Sequence, residues 1–173
     1  MNKVYKAQVF ATAAHAAIGQ TRDSGEDYIV HPEAVVSLLQ SIPHNEDMLA
    51  TAWLHDVVED TQIGLGLIEK EFGEKVALMV EKLSRTRHDS HCELNKDELK
   101  ELDNIKLSTA NSDVHNIKMA DIIHNLKSIG NKKSNNVQSY LNAKKIQVEC
   151  LHLAHPKLIE IAQQIFNEIE NKT

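Results

Sequence analysis

Apolar residues in this chain recur three and four positions apart, and no segment alternates apolar with polar long enough to make a strand. Leu158, Ile161, Ile165 and Ile169 repeat that spacing near one end, and Val4, Phe10, Ala14 and Ile18 fall near one helix face at the other. Such intervals put side chains on one stripe of a helix, whereas a strand repeats every second residue. Only three prolines and six glycines interrupt 173 residues. The fold class expected is therefore all-α, and the length suits a single domain, residues 1–173, with one core.

Turn-forming residues divide the helices. A first helix is expected over 3–18, then a loop from Gly19 to Pro32, then a second helix starting near His31-Pro32. A third is expected over 46–60, a turn over Thr61–Gly66, and two short helices, 65–72 and 74–86, parted by Gly73. Residues 87–96 are polar and expected as loop, followed by helices over 97–110, 113–129, 135–154 and from Pro156 to about 170.

The net charge of −6 disfavours a nucleic-acid binder, which needs a basic field to neutralise phosphates. It leaves room for a small anionic substrate, because a bound cation can reverse the field inside a cleft. Cys92 and Cys150 lie far apart with no CxxC pair, which points to a reducing compartment. No apolar run reaches the roughly 18 residues of a membrane span. The start, Met1-Asn2-Lys3 before an Ala-rich run, imitates a signal peptide, but His15 and Gln20 interrupt it. A cytoplasmic protein with neither nucleic-acid nor membrane partners is expected.

Three segments carry chemistry. Trp53-Leu54-His55-Asp56-Val57-Val58-Glu59-Asp60-Thr61 gathers one imidazole and three carboxylates. On a helix, positions four apart share a face, so His55 sits below Glu59 and Asp56 below Asp60. Carboxylates crowded into a partly apolar wall repel each other and are costly to desolvate, and a divalent cation relieves both costs. A solvated acidic helix end is the alternative. In Ile117-Lys118-Met119-Ala120-Asp121-Ile122-Ile123-His124-Asn125-Leu126, Asp121 falls on or near the inward stripe and needs either a metal or a cationic side chain. His124 lies about 100 degrees further round that helix and reads as a bystander. The third segment, Tyr28-Ile29-Val30-His31-Pro32, brings a histidine to a helix start.

Around these lie Phe10-Ala11 through His15, Gly19-Gln20, Arg22 and Ser24-Gly25-Glu26, then Phe72-Gly73 with Val76 and Val80, and Lys118 through Leu126. In this order, over about residues 5–130, the set resembles the HD-domain metal-dependent phosphohydrolases. The closer resemblance is to the RelA/SpoT-type (p)ppGpp 3′-pyrophosphohydrolase branch and its stand-alone small alarmone hydrolases. It implies an HD-domain helical bundle with a metal site at its centre, and no synthetase or regulatory domain.

The resemblance implies four metal ligands, His31, His55, Asp56 and Asp121, holding one Mn²⁺ per chain, with other divalent ions possible. It implies Glu59 and Asp60 as the catalytic acidic pair, and Arg22, Ser24, Asn125 and Ser128 beside the nucleotide. The implied reaction is hydrolysis of the 3′-pyrophosphate of (p)ppGpp by a metal-activated water, giving GDP or GTP and pyrophosphate. Arg85 and Arg87 could meet terminal phosphates or be solvated charge.

Two departures bear on the substrate: Asp23 stands where the family commonly has Lys, and Asp27 where it usually has Pro. Acids in a loop that greets an anion repel it, and residues 87–116 follow the pattern only loosely. The same metal chemistry on NADPH 2′-phosphate, ppApp or a dNTP, and a non-catalytic metal-binding regulatory module, are the alternatives.

Overall fold

Apolar stripes at helical spacing become helices throughout the computed structural model, which describes residues 2–86, 94–129 and 137–171. The described residues contain ten helices and no strand beyond an isolated bridge between Thr21 and Asp27. The class is all-α, as the spacing predicts. None of the described helices is long and apolar enough to cross a membrane. The chain divides into two compact units, Met1–Ser84 and Arg85–Thr173.

The first unit contains α1 (Lys3–Ala17), α2 (Val30–Leu39), α3 (Glu46–Leu54), α4 (Val57–Asp60), α5 (Leu65–Phe72) and α6 (Glu74–Leu83). Its centre is α3, which packs against α1, α2 and α6. Asn45 starts α3 by accepting the Met48 N–H at 2.9 Å, and Glu46 and Asp47 place negative charge at the positive end of the helix. Every residue from Met48 to Leu54 is buried. The small Ala7 and Ala11 on α1 are fully buried.

The third expected helix, 46–60, is corrected by the structure. It stops at Leu54, and a separate turn of helix resumes at Val57. Asp56 sits at φ −100°, ψ −8°, off the helical minimum and toward the sparsely populated bridge region where active-site residues often sit.

Gly73 joins α5 to α6 at φ 92°, ψ 160°, a conformation open essentially to glycine alone. A Cβ built there would meet nothing within 4 Å, so the penalty of adding one is purely conformational. Gly73→Ala is expected to destabilise the protein by about 1–3 kcal/mol. Denaturant unfolding measures this, and an unchanged midpoint would contradict it.

The second unit contains α7 (Lys96–Ser108), α8 (Ser112–Ile129), α9 (Val137–Cys150) and α10 (Pro156–Glu170). Its core is α8, whose Ile117, Met119, Ala120, Ile122, Ile123 and Leu126 are fully buried. A capping box between Asn95 and Glu98 starts α7. The helix expected over 135–154 ends at Cys150. Side chains of α8 draw the chain out of the helix there. His115 Nδ1 accepts the Leu153 N–H at 3.0 Å, and Asn116 Oδ1 accepts the His155 N–H at 2.7 Å. The expected helix start at 135–136 and most of the expected 87–96 loop lie outside the described residues. The other ends agree within about three residues, the usual uncertainty of a helix terminus.

His115 is fully buried and uses both ring nitrogens in its neutral form, since Nε2–H donates to the Leu107 carbonyl at 2.8 Å. Burial lowers its pKa below the ordinary histidine value, only partly offset by that carbonyl. The unfolded chain therefore takes up this proton first. The stabilisation is whole above the unfolded pKa, about 6.5, and is lost as pH falls below it. Melting temperature is expected to drop between pH 7 and pH 5, with a shallower slope in His115→Leu. Equal slopes in the two proteins would contradict this.

Candidate functional site

The site begins where α1 stops. Gly19 takes the left-handed conformation at φ 62°, with its N–H on the Ala16 carbonyl at 3.0 Å and the Gln20 N–H on the His15 carbonyl at 3.1 Å. This is a Schellman ending, and it sets Gln20 directly over His15. The following loop doubles back, so that the Tyr28 N–H reaches the Gln20 carbonyl at 3.2 Å, and α2 then starts with His31 in its first turn.

Three potential ligand atoms converge there. His31 Nε2 lies 3.3 Å from His55 Nε2 and 3.4 Å from Asp56 Oδ2, and His55 Nε2 lies 3.0 Å from the same oxygen. Both histidines are buried, and Asp56 is half-buried. His55 and Asp56 are chain neighbours, which on an ideal helix point about 100 degrees apart. Both lie in the break between α3, which ends at Leu54, and α4, which begins at Val57.

The hydrogen bonds fix how these atoms present themselves. The Ala52 carbonyl lies 2.7 Å from His55 Nδ1 and can only accept, so Nδ1 carries the proton and Nε2 turns a lone pair inward. An outer hydrogen bond of this kind typically orients a metal-ligating histidine. The Tyr28 hydroxyl donates to Asp56 Oδ2 at 2.6 Å. Burial alone would raise the Asp56 carboxyl; the His55 and His31 imidazoles beside it outweigh burial and hold the group well below the usual carboxylate range. It is an anion set among imidazole nitrogens.

A divalent ion bonded at about 2.1 Å to donors at angles of about 90–110° holds those donors about 3.0–3.4 Å apart. The separations among His31, His55 and Asp56 fall in that range. The donor set therefore fits a divalent cation, and these three form a candidate metal site.

Glu59 and Asp60 follow on α4, both half-buried, and the Asp60 N–H bonds to the Asp56 carbonyl at 2.9 Å. One α4 turn thus carries the acidic pair directly after the candidate ligands His55 and Asp56. Asp60 Oδ2 accepts from Gln20 Nε2 at 2.8 Å. Arg22 lies with its guanidinium 6.0 Å from the Tyr28 ring, and exposed Ser24 donates to Glu26 at 3.0 Å in the same loop. Asp23 and Asp27 are exposed.

In the second unit, Asp121 is buried on α8, ion-paired with Lys118 at 2.8 Å and accepting from Asn125 Nδ2. A cationic side chain is one of the two partners the sequence allows for it. Ser128 lies exposed on the same helix, with its hydroxyl 3.4 Å from the His124 carbonyl. Arg87 lies outside the described residues.

Three residues now have a contact that the sequence did not assign: Tyr28, Gln20 and His15. The signal was present in Ala-Ile-Gly-Gln after an Ala-rich helix, where a glycine ending returns the next residue to the helix face.

An all-helical scaffold carrying a His-Asp dipeptide and a second histidine on one metal-fitting cluster defines a class. The family model described as "HD domain" matches residues 7–152, and the chain belongs to the HD-domain family. It is similar to a probable guanosine-3′,5′-bis(diphosphate) 3′-pyrophosphohydrolase of Synechocystis, 38% identical over 129 residues, covering 73% of this chain and 16% of the relative. Bifunctional (p)ppGpp synthase/hydrolase SpoT of Escherichia coli is 36% identical over 71% of this chain and 18% of its own length. A guanosine-3′,5′-bis(diphosphate) 3′-pyrophosphohydrolase of Haemophilus influenzae is 32% identical over 92% of this chain and 23% of its own. The chain thus spans less than a quarter of each of these relatives. A solved metazoan SpoT ortholog, described as hydrolysing ppGpp, shares the fold with a TM-score of 0.83 at 23% identity, over 97% of this chain and 96% of that one.

Proposed function

We propose that this chain is a divalent-metal-dependent phosphohydrolase that removes the 3′-pyrophosphate of (p)ppGpp, with Mn²⁺ as the resident ion. One observation carries the metal chemistry: two imidazole Nε2 atoms and a carboxylate oxygen meet within 3.4 Å, with the His55 tautomer set by the Ala52 carbonyl. The nucleotide assignment is supported by the printed activities of the relatives and by the ordered signatures from His15 to Asn125.

His31, His55 and Asp56 would hold the ion. Asp121 is proposed as a fourth ligand on the sequence signature alone. The ion supplies Lewis acidity toward a phosphoryl group and makes water a nucleophile near neutral pH. The chain's own groups do the rest. Tyr28 anchors Asp56 by its hydroxyl, and Glu59 and Asp60 orient the attacking water and take its proton. Arg22, Ser24, Asn125 and Ser128 are proposed to face the nucleotide. The products are GDP and pyrophosphate from ppGpp, or GTP and pyrophosphate from pppGpp. We further propose a cytoplasmic location and one functional domain over residues 1–173, since the family model takes in parts of both units.

Asp23 favours one second reading, the same chemistry on another phosphorylated nucleotide, because an exposed acid in the entry loop repels an anion. A panel of ppGpp, pppGpp, ppApp, NADPH and dNTPs with Mn²⁺ separates the two. Pyrophosphate release confined to ppGpp and pppGpp is expected. Turnover of another member with both guanosine compounds untouched would move the substrate and leave the metal centre in place.

A further inference from the structure

Asp60 is not held by its own helix. Its Oδ2 accepts from Gln20 Nε2 at 2.8 Å, and Gln20 Oε1 lies 2.6 Å from His15 Nδ1. The polarity of this chain of contacts follows from chemistry. An ionised carboxylate only accepts, so the amide must turn its NH₂ toward Asp60 and its oxygen toward His15. His15 must then carry its proton on Nδ1. The ring is buried, with burial as the main influence lowering its pKa, so it stays neutral near pH 7. Among the described residues its buried Nε2 has no hydrogen-bond partner. An unsatisfied buried acceptor is destabilising by about 1–3 kcal/mol. A contact kept against that penalty is expected at a functional site rather than in a plain core.

The backbone reinforces the clamp. The Schellman ending places Gln20 over His15, the Tyr28 N–H closes on the Gln20 carbonyl, and the Tyr28 ring packs on the His15 ring with centroids 4.6 Å apart. The same Tyr28 holds Asp56 through its hydroxyl. One loop, 19–28, thereby sets both the proposed ligand Asp56 and the proposed proton acceptor Asp60.

We infer that Gln20 and His15 are positioning residues for Asp60: the amide fixes the carboxylate rotamer by occupying Oδ2, and His15 fixes the amide. The remaining oxygen, Oδ1, is then the one that takes the proton. This inference rests on the proposed catalytic role of Asp60.

Gln20→Met keeps length and volume while removing both contacts. With Mn²⁺ and ppGpp it is expected to lower kcat about 10–100-fold, with KM and Mn²⁺ affinity close to the parent's and a lower melting temperature, since the buried His15 Nδ1–H loses its acceptor. His15→Asn keeps a donor near the Nδ1 position and should retain most of kcat, whereas His15→Leu should fall with Gln20→Met. In an Asp60→Ala background, Gln20→Met should cost nothing further.

Independently of turnover, long-range ¹⁵N NMR of the parent should find His15 as the Nδ1–H tautomer. The Gln20 side-chain amide should be protected from exchange and lose that protection in Asp60→Ala. Full kcat in Gln20→Met beside a large loss in Asp60→Ala would overturn the inference, as would an Nε2–H tautomer of His15. Full turnover by Asp60→Ala would instead overturn the role given to Asp60, while leaving the NMR contacts in place.

Discussion

Asp56→Ala is expected to lower Mn²⁺ affinity by more than about 100-fold and to remove turnover, because residues that merely orient metal ligands already account for about 10–100-fold. Asp56 is the anionic member of the three-atom cluster and the acceptor of the Tyr28 hydroxyl. Without it, His31 and His55 present two neutral nitrogens 3.3 Å apart, a weak site for a hard divalent ion. The core beneath is apolar and independent of the cation, since Leu54 and Val57 on either side are fully buried. Helical circular dichroism should therefore stay at the parent level. Asp56→Asn, which keeps the volume and removes the charge, should behave the same way toward Mn²⁺. Calorimetric titration checks this. Parent-like Mn²⁺ affinity in either variant would place the ion elsewhere.

Glu59→Ala and Asp60→Ala are expected to show the opposite pattern. Each should lower kcat by about 10²–10⁴-fold, the usual contribution of a positioned acid or base, while Mn²⁺ binding stays near parent affinity. The reason is geometric. The α4 turn that carries these carboxylates begins after the cluster residues His55 and Asp56, and Asp60 is tied to Gln20. Loss of Mn²⁺ binding together with activity in both variants would make the pair ligands instead of proton acceptors. Steady-state kinetics beside metal titration separates the two outcomes.

Much of this was legible in the chain itself. Helical spacing announced an all-α fold, and Gly73 and Pro156 marked boundaries because glycine and proline act on the backbone directly. The family resemblance pointed to His31, His55 and Asp56 as metal ligands, whereas the residues of 53–61 alone also fitted a solvated acidic helix end. Their geometry was not legible. A regular helix over 46–60 separates His55 from Asp56 by about 100 degrees, whereas α3 ends at Leu54 and their ligand atoms lie 3.0 Å apart. No local propensity in Leu-His-Asp-Val marks that break. The early end of α9 was hidden for a similar reason: the groups that capture Leu153 and His155 are His115 and Asn116, nearly forty residues away in the chain. Tertiary contacts of that span override local helix preference. Gln20 was hidden because its role depends on an amide reaching from one helix end to the carboxylate forty residues on.

Metal-dependent release of pyrophosphate from the 3′ position is tested most directly by metal removal and return. Purified protein stripped with chelator and assayed on ppGpp should be inactive. Mn²⁺ should restore equimolar GDP and pyrophosphate in the parent, and not in the Glu59→Ala, Asp60→Ala double variant. Equal release without metal, orthophosphate as the product, or ppGpp left intact by the Mn²⁺-loaded parent would contradict it.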